Sequence, residues 1–374
     1  MNSILETIVD LRKNNDFDID TTNSDRYRIV INEPNGTKTS YYFSTPIYNI
    51  YSKKLVDLKF TGTNIPYLIG SNSKIFFSDN IKMNNSDGTC FISSGGKIKR
   101  VSDYELRDGE NIILPTTNGF VYKIPINESS TTSICVRTDR AFSMTRSNNK
   151  YFALMIDKFT PFMSICAVGT EDTDGRTTSP FIFSNRKISD FEYEISMSKF
   201  IGTGKYFVFE INMYEKKLIQ DTTVESANAN TNNAFGSSAY LGTTAEFGEQ
   251  WLYSRIDYFR MSAISDCRIK NVTAYIPKLG SGQLDVDAYK VSERFCSFGS
   301  TWTNKKSESN FINRSHNTDR YIVLDITNAL IHQRSKQIIA TSGLILKAAQ
   351  KGSFTSITTA DSCFLPQIIA FNYY

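Results

Sequence analysis

Turn signals recur along this chain at intervals that leave room for strands and little else. Asn84-Asn-Ser-Asp-Gly88, Ser94-Gly-Gly96, Arg107-Asp-Gly109 and Thr117-Asn-Gly119 each break a run rich in β-branched or aromatic residues. Glycine reaches φ > 0 without steric cost, and asparagine can bond its own backbone there, so both suit tight turns. The runs between them cover residues 74–77, 88–92, 96–101, 111–114 and 119–124. Short strands at a spacing of about 8–12 residues indicate a sandwich or barrel rather than alternating βα units. The fold class expected is all-β.

Upstream, Tyr27-Arg-Ile-Val-Ile31 and Thr37-Lys-Thr-Ser-Tyr-Tyr-Phe43 flank Glu33-Pro-Asn-Gly36, a hairpin with its turn residues in place. A further strand is expected at 55–60. Before the hairpin, Ile4, Leu5, Ile8, Val9 and Leu11 form one apolar stripe behind Ser3 and Glu6, so 3–13 is expected to be a short helix. Residues 126–132 are polar and loop-like. Three domains follow from this pattern: 1–125, β-rich with the short helix; 126–218, a small immunoglobulin-like sandwich; and 219–374. Whether the first two share one core is left open by the pattern. The third opens on a strand from Ile219 to Val224 and an Asn-rich loop, and includes a polar span, 304–320, expected to be loop. Thr327 is expected to cap a short helix over 328–333.

With 374 residues the chain exceeds one ordinary core, and 40% hydrophobic residues are too many for disorder. A net charge of +4, spread along the chain, does not make a nucleic-acid footprint. No apolar run approaches the ~20 residues that cross a bilayer. The start, Met1-Asn-Ser-Ile-Leu, lacks the features of a signal peptide. Six cysteines without a C-x-x-C pair fit buried thiols in a protein folded in a reducing cytoplasm.

In the third block several pieces stand in a telling order. Asp221-Thr-Thr-Val and the Asn-rich loop lead to Gly236-Ser-Ser and Tyr240-Leu-Gly242. Then come Tyr253-Ser-Arg255-Ile-Asp257-Tyr-Phe, Leu284-Asp-Val-Asp-Ala-Tyr-Lys-Val291, Ser300-Thr-Trp302-Thr-Asn and Tyr321-Ile-Val-Leu-Asp325-Ile-Thr327. Gly343-Leu-Ile-Leu-Lys, Phe354-Thr-Ser and Leu365-Pro366-Gln-Ile close the chain. This order resembles the DNRLRE-type jelly-roll domains, a β-sandwich family related to carbohydrate-binding modules. Leu365 departs from the family's usual arginine, and Phe295 or Phe298 replaces a common tryptophan. The resemblance implies a C-terminal jelly-roll sandwich in a structural virion protein of a tailed phage or contractile tail-like particle, part of a tail, baseplate or fibre. The particle would assemble in the host cytoplasm. It implies partners among other tail subunits and, at the host surface, a cell-wall glycan or surface protein. A homo-oligomer, with a trimer favoured, is expected. The alternative is a carbohydrate-binding or adhesion module of a cell-surface or glycan-active protein.

Few residues carry candidate chemistry. Neither an enzyme nor a cofactor is expected. Glu171-Asp-Thr-Asp174-Gly lacks the distal glutamate of a calcium loop and reads as a turn. Asp285 and Asp287, two apart on a strand, share a face and can supply half of an ion or glycan site, or simply line a solvated face. Trp251 and Trp302 can stack on a sugar ring, although their β runs also suit the core. Of the only histidines, His316 in the polar span reads as a solvated residue and His332 as a cation at the C-terminal end of the short helix. The ligand-binding residues expected are Asp285, Asp287 and Trp302.

Overall fold

The computed structural model describes residues 7–8, 12, 18–49, 54–93, 95–126, 131–147, 151–155, 161–171, 181–199, 204–213, 218–234, 236–256, 269–280, 282–293, 295–329 and 343–374. It is nearly all β, 59% strand and 3% helix, in four antiparallel sheets. The chain forms two compact units, Met1–Leu11 with Pro46–Lys216 and Arg12–Thr45 with Lys217–Tyr374.

The first unit does not divide at residue 125. Gly119–Pro125 pairs with Tyr206–Met213 along its whole length, and Gly88–Ser93 pairs with Thr131–Thr138. Each of the two sheets therefore takes one side from the first expected block and the other side from the second, joined edge to edge at these pairs. One sheet contributes Phe120, Tyr122, Phe207 and Ile211 to the core, and the other Phe77, Ile92, Val136 and Ile195. Backbone donors and acceptors on the edge of either block would be left unmatched if the blocks were separated. Of the strand expected at 55–60, only Leu55 pairs, through one bridge to Tyr48. Val56, Leu58 and Phe60 are buried by side-chain packing instead. Alternating burial is a strand-like signal even where no ladder forms.

The second unit is a two-sheet sandwich that includes the early hairpin. Lys38–Phe43 pairs with the last strand, Ile368–Tyr373, so Arg28–Asn32 and Asp18–Ile19 extend a sheet otherwise built from the end of the chain. The facing sheet runs Glu308–Arg314, Val286–Val291, Leu344–Ala348, Gly248–Ile256, Ser238–Thr244 and Phe354–Thr358, with Ile219–Glu225 also on Gly248–Ile256. Between the sheets lie Val272, Ile322, Ile369 and Phe371 from the first, and Leu241, Leu252, Val286 and Leu346 from the second.

The span 304–320 holds two strands, Glu308–Arg314 and His316–Asn317, where a loop was expected. Glu308–Arg314 lies at the edge of its sheet and is mostly exposed, so no buried face marks it in the sequence. Thr327, Asn328 and Ala329 are helical, and the remainder of that expected helix lies outside the described residues. Asp325 supplies the capping oxygen there, taking the Thr327 amide at 2.9 Å and hydroxyl at 2.6 Å. Thr7, Ile8 and Arg12 are helical, and the rest of 3–13 lies outside the described residues.

Two ion pairs brace the hairpin. Arg12 grips Glu33 through both guanidinium nitrogens, at 2.5 and 2.8 Å. Lys38 meets Asp20 at 2.6 Å. Hydrogen bonds from Lys38 and Asn23 draw the Asp20 carboxyl down to about 2, and the Arg12 bond lowers that of Glu33. A depressed carboxyl pKa contributes stability that is present above the unfolded value and lost as pH falls through the folded one. For Asp20 that window lies between about pH 4, the unfolded value, and about pH 2. Acid titration of unfolding should show stability falling across it, with Asp20→Asn giving a shallower slope. An unchanged slope in that variant would rule out this contribution.

Candidate functional site

Side chains alternate across a strand, and in the second unit this gives one sheet two different faces. On Gly248–Ile256, Leu252 and Ile256 enter the core between the sheets, while Trp251 and Tyr253 point the other way. Leu344 and Leu346 point inward, and Ile345 lies on the outer side. Registers align these residues into rows. Tyr253 lies opposite Ile345, Ile345 opposite Tyr289, and Tyr289 opposite Phe311. Lys347 lies opposite Asp287, and Asp287 opposite Arg314.

The outer face has its own small cluster. Val224, Tyr253, Val291, Phe295 and Ile345 are buried there, and Trp251, Tyr289 and Trp302 pack partly buried against them. Gly343 lets Phe295 approach, because a Cβ there would lie 2.6 Å from the Phe295 ring. The rings of Trp251 and Trp302 are 5.1 Å apart and tilted by 58°. Tyr289 and Phe311 meet edge to face at 5.5 Å, with Phe311 54% exposed. Two lysines sit on these rings. Lys305 Nζ is 3.9 Å from the Trp302 centroid and 5.2 Å from that of Trp251. Lys347 Nζ is 4.0 Å from Trp251 and 5.6 Å from Tyr289. An ammonium over a ring gains from the ring's negative face, by about 0.5–1 kcal/mol when exposed. The result is a strip of aromatic rings and ammonium groups on a rigid sheet.

The Asn-rich loop holds the segment that carries Trp302. Asn232 Nδ2 donates to the carbonyls of Ser297 and Ser300 at 2.6 and 2.7 Å. The Thr303 amide donates to the Ala229 carbonyl at 2.9 Å, and its hydroxyl to Asn230 Oδ1 at 2.7 Å. Asn304 caps the turn by accepting from the Thr301 amide at 2.7 Å and donating to the Gly299 carbonyl at 2.9 Å. Tyr253 donates its hydroxyl to the Lys306 carbonyl. Burial raises the Tyr253 phenol above its ordinary value, so it stays a neutral donor. Asn232→Ala removes two bonds and leaves two carbonyls unmatched, an expected loss of about 2 kcal/mol. Trp251 and Trp302 are the chain's only tryptophans, so their emission reports on this face alone. The variant should shift that emission and lower the urea midpoint of the second unit, and an unchanged spectrum would show that the loop does not position Trp302.

The expected ligand residues fall differently. Trp302 lies in a turn outside the strands and is half-buried beside Trp251. Asp285 precedes its strand and is exposed. Asp287 is buried, and Arg314 takes both its oxygens, at 2.7 and 3.0 Å. The guanidinium therefore stands where a bound cation would need to be, and Asp287 in turn raises the pKa of Arg314. His316 is exposed on a two-residue strand. His332 and 172–174 of the suspected calcium loop lie outside the described residues; Glu171 pairs with Lys123 at 2.6 Å. The residues that reading the sequence did not single out are Tyr289, Phe311, Lys305 and Lys347. Sheet register brings Tyr289, Phe311 and Lys347 together and the turn held by the Asn-rich loop brings Lys305 to them, and neither is visible in spacing along the chain.

The first unit has an open concavity of about 480 Å³, lined by Asn49, Asn72, Ser73, Lys74, Asn84, Asn85 and Ile69. Some of its amide groups serve the fold: Asn49 donates to the Gly70 carbonyl, and Asn85 Oδ1 accepts from the amides of Asp87 and Gly88. Among the described residues no cluster of His, Cys, Asp or Glu is grouped to hold a metal ion, and all five described cysteines are thiols. No helix of the described residues is long and apolar enough to cross a membrane.

No protein-family model matches the chain, and no curated protein matches it.

Proposed function

We propose that this chain is a non-enzymatic structural protein of a tailed phage or contractile tail-like particle, and that its second unit attaches the particle to the host surface. The observation that carries the attachment role is the outer strip of Trp251, Trp302, Tyr289 and Phe311 with Lys305 and Lys347. Rings of this size, fixed by strand register or, for Trp302, by the loop bonds of Asn232 and Asn230, stack on sugar rings with little ordering cost. Aromatic residues are also the usual anchors of protein contacts. The particle setting is supported by the resemblance of 219–374 to DNRLRE-type domains. Copies arranged as trimers would present three strips, so that weak single contacts add through avidity.

The tilted pair of tryptophans equally favours a second reading, a carbohydrate-binding module of a surface or glycan-active protein. Co-sedimentation of the full chain with purified bacterial cell walls tests the attachment role. Retention on the walls is expected, and failure to sediment would contradict it. Soluble sugar released from the walls would overturn the non-enzymatic assignment. Incorporation into tail particles separates the first reading from the second.

A further inference from the structure

The charges around the strip do not balance evenly, and one lysine is left over. Lys347 pairs with Glu308 at 2.6 Å, Lys306 with Glu293 at 2.9 Å, and Arg314 with Asp287 at 2.7 Å. Glu249 accepts from the Trp251 indole nitrogen at 2.8 Å. Lys305 has no carboxylate within ion-pair distance among the described residues. Its ammonium is held by the two indole rings and by the Trp302 carbonyl at 3.4 Å. The side chain is half-buried, and the turn that bears it is fixed by Asn304 and Thr303.

A ligand that stacks on Trp302 also covers Lys305. Covering an ammonium with a neutral ring takes water from the charge and returns little, whereas an anionic group both replaces the water and pairs the charge. Resting on the attachment reading above, we propose that Lys305 makes this face select saccharide or polyol polymers that carry an anionic substituent, a carboxylate or a phosphate, over neutral ones. Glu293, Asp287 and Glu308 are each neutralised by a cation of their own, and Glu249 is turned to the Trp251 indole nitrogen.

The test titrates the full chain, read by tryptophan emission, with a neutral glucan, a polyuronate and a poly(glycerol phosphate), at low and high salt. At least a tenfold preference for the anionic polymers is expected at low salt, shrinking at high salt because the contact is exposed to screening. The two anionic arms show whether carboxylate or phosphate is the better fit. Lys305→Gln, a polar side chain of similar length, should remove most of the preference, lowering affinity for the anionic polymers far more than affinity for the neutral glucan. Lys305→Arg should keep the preference, and Lys306→Gln, whose partner is Glu293, should not alter it. Equal affinity for neutral and anionic polymers, or a preference that survives Lys305→Gln, overturns the inference while the attachment role stands. Binding of no polymer overturns both.

Discussion

Gly242→Ala is expected to cost the second unit about 3–5 kcal/mol. Gly242 has φ = +110°, a region that side chains rarely adopt, and occupying it costs of order 1–3 kcal/mol. Its position in the sheet adds a second cost. The residue pairs with Phe354 on one side and Gln250 on the other. A Cβ would fall 2.8 Å from the Phe354 Cα and press on the Ser353 carbonyl, which is itself tied to the Thr243 amide. Backbone cannot give way as a flexible side chain can, so overpacking adds about 1–3 kcal/mol. Gly36→Ala is the control, since φ there is +78° and nothing lies within 4 Å of the added carbon; it should cost only about 1 kcal/mol. Urea unfolding followed by tryptophan emission measures both. Equal losses at the two glycines would show that the backbone contact at Gly242 contributes nothing.

The second large effect is on binding. Truncating both Trp251 and Trp302 to alanine should weaken attachment by roughly 2–4 kcal/mol, or about thirtyfold to a thousandfold, as for aromatic anchors at the centre of an interface. The two rings touch, so their single losses will not add. Both are half-buried over Val224, Tyr253 and Ile345, so some stability is lost as well, and the inner core of Leu252, Val286 and Leu346 keeps the unit folded. Phe311→Ala, at an edge-strand position 54% exposed, probes the far end of the strip with less effect on folding.

The all-β architecture was legible because strand signals are local. Alternation in 119–124 and in 206–213 needs only a few neighbouring residues to be seen, and the hairpin at 27–43 announces itself by its turn. What was not legible depends on pairing at long range. The hairpin joins the sheet of Ile368–Tyr373, more than three hundred residues away in sequence, and nothing in either strand marks that partner. The same holds for the two strand pairings that join the first two blocks into one sandwich. At the candidate site, Trp302 was picked out by residue type alone. Asp287 was picked out too, yet its electrostatic role is decided by Arg314 across the ladder. Lys305 carried no signal, since a lysine in a polar segment looks solvated until the rings beneath it are located.

Attachment through the outer face of the second unit is most directly tested by calorimetric titration of solubilised bacterial cell-wall polysaccharide into the full chain and into the Trp251→Ala/Trp302→Ala variant. A saturable heat with the unaltered chain, and an affinity at least thirtyfold weaker in a variant that still unfolds cooperatively, is the predicted result. Equal affinities in the two proteins would contradict the account and place attachment, if any occurs, on another surface.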